Sequence, residues 1–88
     1  MNTIIESLAK EMGVTAGDVY SLARSVASSI EQTGIKEHFI KSDDAERIAI
    51  TEAYVSDAVK KYRNFTTELL VNNSKKQALQ SAILHGAI

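Results

Sequence analysis

Apolar residues recur along this chain at steps of three and four, the spacing that lines one face of a helix. Ile4, Ile5, Leu8, Ala9 and Met12 share such a face. They follow Thr3-Ile-Ile-Glu6, a capping box in which a hydroxyl and a carboxylate satisfy opposite backbone amides. Gly13 suits the left-handed position that ends a helix, so the first helix is predicted over 3–12. Thr15-Ala-Gly-Asp18 forms a second cap, with an acid where the helix dipole favours it. Val19, Leu22, Ala23, Val26, Ala27 and Ile30 mark the inner face of a second helix over 16–32, stopped by Gly34.

Residues 35–40 (Ile-Lys-Glu-His-Phe-Ile) fit a short helical turn or a strand; the turn is preferred because a strand would have no partner. Ser42 is the expected cap of a third helix, with Asp43 and Asp44 in its first turn. At 100° per residue, Ile48, Tyr54, Val55, Ala58, Val59, Tyr62, Phe65 and Leu69 fill about half of that helix's circumference. An arc so broad suits a helix packed against several neighbours, so this helix is expected at the centre. Ile50 projects to its polar side, where an exposed apolar residue is either incidental or a partner contact. A continuous helix over 43–71 would be about 40 Å long, so it either breaks near Asn64-Phe-Thr-Thr or projects toward a partner. A last helix over 75–85, with Ala78, Leu79, Ala82 and Ile83 on one face, closes at Gly86 and leaves an apolar Ile88.

No repeat or linker divides the 88 residues, which read as a single helical domain over 1–88. The fold class is all-α: a small bundle of four helices, or five with the turn at 35–41, around a long third helix. With 44% hydrophobic and 24% charged residues the chain folds, and the absence of proline lets its helices run. Without cysteine it has no disulfide, thiol nucleophile or Cys-based metal site, and it suits a reducing cytoplasm. No apolar run reaches a membrane span, and no basic stretch leads into a secretory signal. Lys60, Lys61, Arg63, Lys75 and Lys76, with Glu68 the sole acid among them, read as a solvated helix face. Tyr62 and Phe65 within that stretch fit the core better than a base-stacking platform.

Little in the chain is equipped for chemistry. His38 and His85 belong to no spaced ligand set, and a metal needs several converging donors. There is no phosphate-cradling glycine loop and no serine in a nucleophile-elbow setting. No cofactor, metal or catalytic residue is therefore expected.

Residues 8–24 resemble the helix-turn-helix of bacterial and phage repressors. Ala9 stands at the small position, Gly13 at the turn, and Val14, Val19 and Leu22 at the positions that lock the second helix onto the first. The resemblance covers about a fifth of the chain. It implies DNA recognition by the early part of the second helix, where Thr15, Tyr20, Ser21 and Arg24 would do the reading. Asp18 there has the wrong sign for phosphate, and Arg24 is the one base on that helix. A formal charge of −1 also disfavours nucleic acid. The reading that follows is a non-catalytic helical protein that binds another protein as regulator, adaptor or inhibitor, or pairs with itself. Its candidate contacts are Ile50, Lys60, Lys61, Arg63 and Ile88. A helix-turn-helix transcriptional regulator is the alternative.

Overall fold

The computed structural model describes residues 3–61 and 73–87, with the side chains of 57–61 and 73 excepted. Arg63, Ile88 and the expectations for Tyr62, Phe65 and Leu69 lie outside the described residues, as do the side chains of Lys60 and Lys61. The described residues form an all-α bundle: α1 Thr3–Met12, α2 Ala16–Gln32, α3 Lys36–Lys41, α4 Asp44–Lys61 and α5 Asn73–Ala82. A π-helical turn, Ile83–Ala87, continues α5.

Local chemistry sets the helix ends. Thr15 caps α2, its Oγ1 accepting from the Asp18 amide at 3.1 Å. Gly13 and Gly34 adopt φ of +69° and +77°, where a side chain is strained. Behind them Val14 N donates to the Ala9 carbonyl and Ile35 N to the Ile30 carbonyl, the six-to-one bonds of a Schellman stop. Val14 and Ile35 then pack against the core, so each stop also steers the chain back inward. At α4 the cap falls one residue later than expected. Asp43 Oδ1 accepts from Glu46 N at 2.9 Å, while the Ser42 hydroxyl donates back to the His38 carbonyl and closes α3. Asp43 stands three residues before Glu46, the spacing a cap needs.

The core joins Ile5 and Leu8 of α1 to the inner face of α2, Phe39 of α3, Val55 of α4, and Leu79, Ala82 and Ile83 of the last segment. α4 packs on α2 and α5, as a central helix would. Among the described residues, however, α2 is the most deeply set, with Val19, Leu22, Ala23, Val26, Ala27 and Ile30 all buried.

Two expectations change, one about α4 and one about the end of the last helix. Ile50 is not exposed: it is half-buried and packs against the core. The inner face of α4 includes the buried Thr51 and the largely covered Arg47, both omitted when only apolar residues define the arc. Including them turns the face toward Ile50. Second, Gly86 does not stop the last helix in a left-handed conformation. The chain instead widens into the π turn, which buries both Ile83 and Ala87. The Arg24 guanidinium donates to the Ala87 carbonyl there, satisfying a helix-end acceptor.

The contact between α4 and α5 is polar. Arg47 Nε donates to Gln80 Oε1 at 2.9 Å, and Gln77 Nε2 donates to Asp44 Oδ2 at 3.2 Å. Lys76 Nζ meets Glu52 Oε2 at 3.2 Å. Lys75 and Lys76 are therefore not part of a solvated face: both are buried, their stems lying along the bundle. Beside this seam Thr51 Oγ1 is buried without a hydrogen-bond partner among the described residues. Thr51→Val keeps the branched shape and removes the unsatisfied hydroxyl, so it should raise stability by about 1 kcal/mol. Chemical denaturation of the variant checks this, and a loss of stability would mean that the hydroxyl is bonded after all.

Candidate interaction surface

The period that buries one face of α2 leaves the opposite one outward. Tyr20, Ser21, Arg24, Ser28, Glu31 and Gln32 are exposed, and Ser25 and Ser29 are half-buried. Small residues along this outer line make a shallow open trough of about 490 Å³. It is lined by Ser21, Ser25, Ser28 and Ser29, together with Tyr20, Arg24 and Gln32. Several of its polar groups are already occupied within the helix. Ser29 Oγ donates to the Ser25 carbonyl at 3.2 Å, and Gln32 Nε2 donates to Ser28 Oγ at 3.4 Å. Thr33, at the helix end, donates back to the Ser29 carbonyl and accepts from the Tyr54 hydroxyl.

The structure thus brings Tyr20, Ser21 and Arg24 onto one surface, as the resemblance groups them. Thr15 lies apart, in a second open depression at the α1–α2 turn with Met12, Gly13, Val14 and Asp18. Thr15 Oγ1 is engaged as a cap and Arg24 is tied to Ala87. Ala9, Val19 and Leu22 are buried between the helices and Val14 is half-buried, which is what close packing of this helix pair requires. Sequence reasoning missed Ser25, Ser28 and Gln32. Their signal was present: polar residues at 21, 25, 28 and 32 run on the face opposite the apolar one.

Elsewhere the chemistry is structural. His38 Nε2 lies 3.3 Å from Glu46 Oε1 on an exposed surface, and His85 is exposed. No group of acids and histidines among the described residues could hold a metal ion. No described helix is long and apolar enough to cross a membrane. The Arg47 hydrogen bond, then that from Gln77, holds the Asp44 carboxyl below its ordinary value. A lowered folded value stabilises the protein above the ordinary carboxylate range, and this contribution is lost as pH falls through the folded value. The advantage of the native protein over Asp44→Asn in thermal melts should therefore shrink on acidification. A gap that stays constant with pH would contradict this. No family model matches the chain, and neither the curated proteins nor the solved structures contain a match to it.

Proposed function

We propose that this chain is a small non-catalytic helical protein that acts by binding another protein, through the outer face of α2. One observation carries the reading. That face is an exposed trough lined mostly by uncharged side chains, with Arg24 its one charged residue, and the hydroxyls of Ser28 and Ser29 are already bonded within their own helix. Covering such a surface strips little hydration from charged groups, whereas a heavily charged helix face resists burial. A chain without cysteine functions without difficulty in the cytoplasm. A photo-crosslinking residue at Ser28 should give a discrete protein adduct in the cell of origin. The same residue at the exposed Ser56 of α4 should give none. Equal labelling from both sites, or from neither, would overturn the reading.

A DNA-binding regulator is the second reading, favoured by the close-packed α1–α2 pair and its glycine turn. Its cations are few there, with Arg24 the one base on α2, and Lys76 on α5 is paired with Glu52. Affinity for duplex rests on phosphate neutralisation, so a random duplex should show no retention at about 150 mM salt. Retention that is lost in Arg24→Ala would favour DNA instead.

A further inference from the structure

We propose that the outer face of α2 pairs with the same face of a second copy of this chain, antiparallel about a two-fold axis. The inference rests on the protein-binding reading and names the partner. Three features of the face point to it.

Ser21, Ser25, Ser28 and Gln32 follow one another at steps of four, three and four, the spacing of a helix–helix seam. Their line is centred opposite the buried face, so a second helix would meet it squarely. The small serines that line the trough let two backbones approach closely.

Charge then selects the partner and its direction. Arg24 and Glu31 are both exposed, seven residues apart, on the same edge of this seam. In an antiparallel pair Ser25 faces Ser28, Ser21 faces Gln32, and Arg24 of each copy meets Glu31 of the other, twice over. A parallel pair sets Arg24 beside the uncharged edge and leaves both charges unmatched. The pattern is self-complementary only when reversed, as an isologous interface requires. Neither residue is fully committed elsewhere. Arg24 uses Nη1 at Ala87 and keeps its other donors, and the Glu31–Lys36 pair is long, at 3.9 Å, and exposed.

An exposed aromatic stands at the same place. Tyr20, 38% exposed, lines the trough, and aromatic side chains are enriched where protein surfaces meet. The seam is only about three turns long, so the dimer is smaller than a standard interface and should be micromolar or weaker.

Sedimentation velocity up to about 500 µM tests the proposal, in a range where micromolar dimers are populated. The native protein should dimerise, and less so at high salt. Arg24→Glu and Glu31→Arg should each be monomeric, because each sets like charges in both of the 24–31 pairs. Mixed in equal amounts, the two variants should form a heterodimer, in which both pairs again join opposite charges. Since Arg24→Glu also loses the Ala87 contact, circular dichroism checks its fold. Ser28→Asp, which puts a charge inside the seam and leaves Ala87 held, should be monomeric as well. A native protein that is monomeric throughout overturns the proposal. So do variants that all dimerise alone, since another face would then be responsible. A monomer that still crosslinks from Ser28 to a different protein sinks self-pairing but leaves the binding reading intact. A monomer that crosslinks nothing from that position removes both.

Discussion

Phe39→Ala should destabilise the protein by about 3–5 kcal/mol, the range for truncating a buried aromatic. In an 88-residue domain this is a large part of the total, and the melting temperature should fall by roughly 15–30 °C. The reason is position. α3 has six residues and no side-chain cap at its start, so little in its own sequence holds it helical. Phe39 is fully buried in the shared core and anchors that turn between α2 and α4. The adjacent Ile40 provides the control. It is 40% exposed, and Ile40→Ala should change stability by less than about 0.5 kcal/mol. Equal effects in thermal melts would show that α3 is a loosely held turn and that burial does not distinguish its two faces.

Arg47→Met should cost about 1–3 kcal/mol, because it strands the buried Gln80 oxygen, an acceptor that the fold has taken out of water. The guanidinium donates to Gln80 Oε1, to the Ser42 carbonyl and to Asp44 Oδ1, so one side chain ties α5, the α3–α4 junction and the first turn of α4. Gln80 is buried and depends on this bond. Methionine retains much of the arginine stem's packing, so the loss reports the hydrogen bonds and not bulk. Replacing both partners, as Arg47→Met with Gln80→Met, should recover a good part of the stability, since no buried amide oxygen is then left unpaired. Denaturant titration of the four proteins gives the coupling directly. Additive losses would mean that the two side chains do not depend on each other.

Both predictions concern features that differ in how far the sequence reveals them. The inner face of α2 is readable residue by residue, because Val19, Leu22, Ala23, Val26, Ala27 and Ile30 keep strict helical spacing between a cap and a glycine. The inner face of α4 is only partly readable. Thr51 and Arg47 belong to it, yet polar residues carry no mark of being inside until their partners are known. Ile50 was set outside for the same reason, and Lys76 looked solvated because its partner Glu52 lies far from it in sequence. The outer face of α2 is an intermediate case. Its serines are visible at their spacing, but that the trough stays uncovered depends on where α1, α4 and the π turn pack.

Sequence alone determined that the described chain is helical, where α1 and α2 begin and end, and which side of α2 turns inward. These follow from periodicity, capping side chains and glycines in left-handed turns, all of which act within a few residues. Tertiary structure alone decided the polar seam between α4 and α5, the burial of Ile50 and the lysines, and the pairing of Arg24 with Ala87. Those contacts join residues 24 to 63 positions apart, and their burial and hydrogen bonds exist only once the helices are packed.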